Sequence, residues 1–213
     1  MSIRTKLTLM VLSVALIPIL IVTIIIFTKY RNSLYKDTTS YMENIAALKS
    51  EKIESYFREL KTNMQVVQMF YVIKKELPIL IRFSDDRANP EFVNASQLTD
   101  EALHNIPAAL NISDIMLVNP EGEVVYSSLP GNLQNELLET LPSTGKKALE
   151  QGKQIVSFSG IFLKQKEVAR PQMILAAPAF DLENAIIGEI IFEIDMVPAY
   201  KVIENATGLG KTG

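Results

Sequence analysis

The chain has 213 residues, a formal net charge of −3, no cysteine and one histidine. Without cysteine no disulfide framework is possible, and a single histidine leaves no His/Cys metal cluster and no well-supported Ser-His-Asp arrangement. Nucleic-acid binding needs a basic surface, which this composition does not favour. We therefore expect no metal site, no cofactor, no catalytic residue and no nucleic-acid partner.

An apolar segment begins near the N-terminus, and none of the 21 side chains at 7–27 is charged. A helix of that length, at about 1.5 Å rise per residue, crosses a hydrocarbon core about 30 Å thick. Lys29 follows without the small-residue cleavage site of a secretory signal. Basic residues flank both ends, so charge alone does not set the orientation. We expect a cytoplasmic segment over 1–6, one transmembrane helix over 7–27, and a domain outside the inner (cytoplasmic) membrane.

The next segment, 28–77, has the pattern of one long helix. Neither glycine nor proline interrupts it. Its apolar residues recur mostly every three, four or seven positions: Leu34, Tyr41, Ile45, Leu48, Ile53, Tyr56, Leu60, Met64, Val67 and Tyr71. Proline breaks helices, so the helix is expected to end before Pro78. This apolar stripe is longer than one small domain can cover, which predicts that the helix pairs with its counterpart in a parallel homodimer. A rigid helix that continues from the membrane anchor can also transmit a movement across the membrane.

Beyond Pro78 the period changes from helical to strand-like. Short helices and loops are expected up to about Pro107. Strands are expected at 113–118, 123–128, 154–162, 172–180 and 185–194, with turns at 119–122 and 181–184 and helical pieces at 134–141 and 145–151. The pattern predicts an α+β domain in which the long helix packs on a five-stranded antiparallel sheet.

The order of these segments resembles the N-terminal part of bacterial transmembrane receptors with a double Cache sensor domain. The segments that carry the likeness are SIRTKLTLMVL, ALKSEKIESYFRELKTNM, SDIMLVNPEGEVVYSS, RPQMILAAPAFDLENAIIGEIIFEIDM and ATGLGKTG. The resemblance implies a PAS-like sheet outside the membrane, a membrane-distal Cache module over 78–206 and the start of a second module at 207–213. It also implies an output domain further along: a histidine kinase, a methyl-accepting chemotaxis region or a cyclic-dinucleotide enzyme.

Alternation along the strands predicts one polar face of the sheet. In the last strand Ile190, Phe192 and Ile194 share one side. The acidic side chains Glu189, Glu193 and Asp195 share the other. If the apolar side packs on the long helix, the floor of a polar ligand pocket is expected to consist of Tyr126, Ser157, Glu193 and Asp195. The alternative is an ordinary solvated surface.

The resemblance also bears on this pocket. Double Cache sensors bind their ligand under loops and short helices, which implies a cover at 82–94 with Arg82 and Arg87 as possible lid residues. Asp195 matches the acid that contacts the ligand amine in amino-acid-binding members. Their upstream aromatic and arginine motif includes a tryptophan, which this chain lacks. A small polar ligand is expected, cationic or amine-bearing rather than anionic, because a cation relieves repulsion between close carboxylates.

The segment GLGKTG also resembles a nucleotide-binding loop. A GxxxxGK loop needs its first glycine at the position of Asn205, so a turn is the better interpretation.

Three functions remain in order of preference: the ligand-sensing part of a signalling receptor, a membrane-anchored adaptor that docks a periplasmic protein, and an enzyme. The acids are spread over turns and helix faces, which does not favour catalysis.

Overall fold

A computed structural model describes residues 3–129, 141–164 and 170–204. The helices are α1 (Ile3–Gln68), α2 (Tyr71–Arg82), α3 (Pro90–Leu103), α4 (Ile106–Leu110), α5 (Ser143–Gly152) and α6 (Val197–Glu204). The strands are β1 (Asp114–Val118), β2 (Val124–Ser127), β3 (Ser157–Phe158), β4 (Phe162–Lys164), β5 (Arg170–Phe180) and β6 (Ile186–Asp195). The helical piece expected at 134–141, apart from Leu141, and the segment 207–213 lie outside the described residues.

The described chain divides into two units, residues 3–51 and 52–204. The first unit is the N-terminal part of α1, whose large apolar side chains are exposed. Among the described residues, one helix is long and apolar enough to cross a membrane, with a mean hydropathy of 1.9 in its most apolar window and none of that window buried. By length and composition it can serve as the anchor that the sequence predicts.

In the second unit α1 packs against the sheet. Leu60, Met64 and Val67 follow one another at helical spacing and belong to the same core as Phe192 of β6. The helix ends at Gln68, where the N–H groups of Met69 and Phe70 donate to carbonyl groups three residues earlier. The single helix expected over 28–77 is therefore two helices separated by a short turn.

Pro78 lies inside α2 rather than after the end of a helix. Its ring removes one backbone hydrogen bond and costs about 3 kcal/mol in a helix interior. Ile73, Leu77 and Leu80 are fully buried on the same helix, and burial of each aliphatic side chain contributes about 1.5–3 kcal/mol. Burial in the core outweighs the local preference, so proline does not end the helix here.

The six described strands form one antiparallel sheet in the order β2-β1-β6-β5-β3, with β4 also paired to β5. This confirms the expected fold class, and the two expected turns are present. Gly122 has a φ of 93° in the β1–β2 turn, a conformation that glycine adopts without steric cost. Asn184 has a φ of 62° in the β5–β6 turn, where its N–H donates to the Asp181 carbonyl.

The strand expected at 154–162 is instead two short strands, β3 and β4. Both pair with β5, β3 at Leu175 and Ala176 and β4 around Gln172. Between them the Ser159 hydroxyl oxygen accepts the hydrogen bond from the Ile174 N–H at 2.8 Å. A side chain thus replaces a backbone partner, and the strand is interrupted at that point.

The two faces of the sheet border separate cores. The helix face, which includes Ile190 and Phe192, shares its core with α1, α2 and α3. The opposite face contains a smaller apolar cluster built on Met116, Ile174 and Ile191. The expected packing of the apolar side of β6 on the long helix is confirmed.

Candidate functional site

The sheet face opposite α1 carries most of the buried acidic groups and is called the acidic face below. Paired residues of an antiparallel ladder project to the same side, so the register assigns this face. Asp114 of β1 lies opposite Glu193 of β6, and Glu189 lies opposite Val118. The exposed fractions of Asp114, Glu189 and Glu193 are 0%, 3% and 2%. These carboxyl groups are therefore built into the fold and are not part of a solvated surface.

Three groups in the described part of the chain donate hydrogen bonds to the Asp114 carboxylate on this face. The hydroxyl groups of Ser127 and Ser128 each donate to it at 2.7 Å, and the Leu129 N–H donates at 3.1 Å. Donors of this kind stabilise a buried carboxylate. Asp114 thus links β1 to the segment that follows β2.

Ser157 lies on the acidic face, as expected. It pairs with Ala176, and Ala176 pairs with Ile191, one row of the sheet from Glu193. Its hydroxyl donates to the Gln151 Oε1 of α5 at 3.0 Å. Ser157 and Glu193 share a face, and α5 packs over the Ser157 end of it.

Asp195 ends β6 on the same side as Glu193. Its Oδ1 accepts a hydrogen bond from the Val197 N–H at 2.8 Å, and its Oδ2 lies 4.0 Å from Arg170 Nη1. The Val197 N–H belongs to the first turn of α6, where backbone donors lack helical partners. Asp195 therefore has a capping role in the fold, and its contact with a ligand remains a prediction.

The structure does not bring Tyr126 together with the other three. Tyr126 pairs with Leu117 on the helix face, and its hydroxyl donates to Asp100 Oδ1 at 3.1 Å. The register shifts so that Val118 pairs with Val124 while Leu117 pairs with Tyr126, which leaves Val125 as an extra residue. A bulge of this kind changes the side on which later residues project. Burial raises the pKa of the Tyr126 phenol, and the nearby Asp100 carboxylate raises it further.

The expected cover also packs on the other side of the sheet. Phe92 and Ala95 of α3 belong to the helix-face core. Arg87 donates to the Val124 carbonyl at 3.0 Å, and Arg82 stacks near Phe83 with its guanidinium carbon 5.8 Å from the ring centre. These contacts hold the two arginines away from Glu193. Their role as a lid remains a prediction.

A cavity of about 390 Å³ opens at the other end of the acidic face. It lies between α5, the β1–β2 turn and the start of β6. Its lining consists of Val118, Glu121, Gly122, Glu123, Lys146, Leu149, Glu150, Lys153, Glu189 and Ile191. Volumes of this size accommodate small molecules.

Glu189 lies at the base of this cavity. Burial raises the pKa of its carboxyl group to about 7; Lys153 lowers the pKa and Glu150 raises it. Its Oε2 is buried and has no hydrogen-bond partner in the described part of the chain. Gly152 of α5 packs directly above, since a Cβ there would lie 3.2 Å from Oε2 and 2.5 Å from the Ala176 Cβ. Close packing by this glycine encloses the carboxyl group.

Two features of the acidic face escaped the sequence interpretation. The first is Asp114: alternation along β1 puts it on the same side as Met116 and Val118, but only the pairing of β1 with β6 places that side on the acidic face. No local signal indicates the cavity at Glu189, because it depends on α5 returning across β5 and β6. The sequence placed Glu189 on the correct side but assigned it no role.

No family model and no curated protein matches the chain. Solved structures do. The sensory domain of the Campylobacter jejuni chemoreceptor Tlp3 has a TM-score of 0.57 at 13% identity, covering 82% of this chain and 67% of that one. The ligand-binding domain of the same receptor with 4-methylisoleucine has a TM-score of 0.58 at 14% identity, covering 81% and 64%.

A third similar structure is the ligand-binding domain of the Pseudomonas aeruginosa amino acid chemoreceptor PctC in complex with GABA. Its TM-score is 0.51 at 10% identity, and the match covers 78% of this chain and 68% of that one. The chain thus spans about two thirds of the length of these domains. At sequence identities this low, structural similarity shows a shared fold alone. The chain has the PAS-like Cache fold of these chemoreceptor sensory domains.

Proposed function

We propose that this chain is the extracytoplasmic ligand-sensing portion of a membrane signal-transduction receptor. It binds a small polar molecule on the acidic face and transmits a movement of α1 across the membrane. The output is a histidine kinase in the first instance, or else a chemotaxis or diguanylate cyclase module. The fragment itself is not an enzyme.

The observation that carries this proposal is the buried acidic pair Asp114 and Glu193, opposite each other on the sheet face that points away from α1. Removal of two carboxyl groups from water is costly unless neighbouring donors or positive charges stabilise them. A positively charged ligand group reduces the repulsion between them. The ligands named for the similar structures, 4-methylisoleucine and GABA, both carry an amine, which supports an amine-bearing ligand here.

A thermal-denaturation screen of the full chain in lipid nanodiscs tests the ligand. The panel contains primary amines, amino acids and organic acids, beginning with 4-methylisoleucine and GABA. A ligand present at about 100 times its Kd stabilises the folded state by about 2.7 kcal/mol. We expect an amine-bearing hit, and we expect Glu193→Gln to abolish its stabilising effect.

The matched control is Glu183→Gln, which makes the same change in the exposed β5–β6 turn and should leave the effect intact. Glu193 is a sharper test than Asp195, because loss of the Asp195 cap changes the stability without any ligand. If every hit were an organic acid, or if Glu193→Gln bound the hit as the wild type does, the proposed site would be wrong. A protein partner without any small-molecule hit would favour the adaptor function.

We also propose that α1 anchors the chain and pairs with its counterpart in a parallel dimer. Leu34, Tyr41 and Leu48 are exposed apolar residues spaced seven apart. A seven-residue apolar repeat is typical of helices that pair along a seam. Because the chain has no cysteine, single cysteines can report this pairing without background.

In membranes washed with carbonate, Tyr41→Cys and Leu48→Cys are expected to crosslink between chains. The matched controls are Glu43→Cys and Ser50→Cys, two residues further along and about 200° around the helix, which should crosslink much less. Crosslinking that does not depend on position would contradict the dimer. Loss of the intact chain from the washed membranes would contradict the anchor.

A further inference from the structure

The cavity at Glu189 is a separate place from the acidic pair of the proposed ligand site. Glu189 and Glu193 are four residues apart on β6, which is about 13 Å along a strand. Glu189 pairs with Val118 and Pro178, whereas Glu193 pairs with Asp114 and Ile174. A small molecule held at one carboxyl group does not reach the other.

One oxygen of the buried Glu189 carboxyl group lacks a donor in the described part of the chain. Its Oε2 has no hydrogen-bond partner among the described residues, although only 3% of the residue is exposed. A buried acceptor without a donor is costly, and such groups are uncommon in folded proteins. Rotation about the terminal torsion of a glutamate is soft, so either oxygen can turn toward the cavity that Glu189 lines.

The charges around the cavity favour a cation. Four carboxyl groups, of Glu121, Glu123, Glu150 and Glu189, face two lysines, Lys146 and Lys153. Lys153 Nζ is 3.5 Å from Glu150 Oε1 and is partly neutralised by it. The C-terminal end of α5 lies above Glu189, and the partial negative charge of a helix C-terminus adds attraction for a positive group.

We propose that this cavity binds a small organic cation with a primary ammonium group, which donates a hydrogen bond to the Glu189 carboxylate. The ammonium group supplies a donor to a carboxylate that has an unpaired oxygen among the described residues, and it adds the positive charge that the surrounding carboxyl groups favour. Lys146, on the neighbouring turn of α5, can donate a hydrogen bond to a hydroxyl group or a carboxylate elsewhere on the same ligand. The site does not depend on the receptor function proposed above.

Ethanolamine is a suitable probe because it carries a primary ammonium group and little else. The experiment uses the full chain in lipid nanodiscs, and every variant carries Glu193→Gln. This background removes one carboxylate of the acidic pair, so any binding that is measured does not depend on the ligand site proposed above. Ligand-observed NMR at pH 8.0 should detect saturable binding of ethanolamine. Addition of Glu189→Gln should weaken this binding at least tenfold, and addition of Glu183→Gln should leave it unchanged.

The pH dependence distinguishes the carboxylate from a general surface effect. Because the Glu189 pKa is about 7, protons compete with the ammonium group below that pH. Binding should be about 30-fold weaker at pH 5.5 than at pH 8.0. The same dependence should be absent from the Glu189→Gln variant.

Two further probes determine the chemical class. Choline has a positive charge but no N–H donor, and it should bind more weakly than ethanolamine. Acetate tests the opposite possibility, an anion held by Lys146 and Lys153. Equal binding of ethanolamine to the Glu189→Gln variant, or binding of acetate in preference to ethanolamine, would overturn the proposal.

Discussion

Replacement of Asp114 by alanine is expected to lower the free energy of unfolding by about 3 kcal/mol, because three donors would lose a buried acceptor. The donors are the hydroxyl groups of Ser127 and Ser128 and the Leu129 N–H. Urea unfolding of the full chain in lipid nanodiscs, followed by circular dichroism, measures this loss. Asp114→Asn keeps one acceptor oxygen and should lose less.

Asp181→Ala is the matched control for Asp114→Ala. Asp181 Oδ1 accepts hydrogen bonds from two backbone N–H groups, of Glu183 and Ala185, in the exposed β5–β6 turn. Water can replace the carboxylate there, so the expected loss is about 1 kcal/mol. An Asp114→Ala variant no less stable than the control would mean that water reaches the acidic face, and the description of Asp114 as a buried anchor would be wrong.

Glu189→Gln is expected to remove a large part of the pH dependence of stability. The Glu189 pKa is about 7 in the folded protein, against an ordinary value of 4.5. Below pH 4.5 the group is protonated in both states and contributes no difference. Between 4.5 and 7 the unfolded chain ionises first, so the folded state loses stability as the pH rises. Above 7 the loss is complete, at about 3 kcal/mol.

The measurement compares urea unfolding of the wild type and Glu189→Gln between pH 4.5 and pH 8. The stability of the variant relative to the wild type should rise by about 3 kcal/mol across this range. Glu183→Gln, in the exposed turn, should follow the wild type. A parallel dependence for the wild type and Glu189→Gln would show that the carboxyl group of Glu189 is better hydrated than its contacts indicate.

The surroundings of Glu189 explain why this effect should be large. Burial is the main cause of its raised pKa, and the nearest charged groups, Lys153 and Glu150 on α5, act in opposite directions. Glu121 and Glu123 of the β1–β2 turn add negative charge at the cavity wall. A bound ammonium group would oppose the burial effect, so a ligand in this cavity should also flatten the pH dependence.

The helical pattern was most informative where the apolar side chains of a helix all face the same surroundings, either lipid or the protein core. Residues 7–27 and the apolar stripe that includes Leu60, Met64 and Val67 predicted α1 and the part of it that packs on the sheet. The turns at 119–122 and 181–184 were also predictable, since Gly122 and Asn184 favour positive φ. These signals are local, because neighbouring residues supply the physical cause.

Other features depend on contacts between distant segments. A proline at position 78 predicted a helix end, yet burial of Ile73, Leu77 and Leu80 retains α2 around it. The bulge at Val125 turns Tyr126 to the helix face, and a pattern of alternating residues does not reveal a register shift with β1. The cover at 82–94 likewise packs with the helix-face core, because Phe83 and Phe92 find apolar partners there.

The sequence by itself determined the apolar N-terminal helix, the α+β class, the two hairpin turns and the side of β6 that carries Glu189, Glu193 and Asp195. Each follows from periodicity or turn chemistry within a few residues. The tertiary structure alone decided that Asp114 faces Glu193 and that α5 encloses Glu189. Strand register and the return of α5 across the sheet bring these groups together across more than 30 residues of chain, and the resulting burial raises the pKa of the Glu189 carboxyl group.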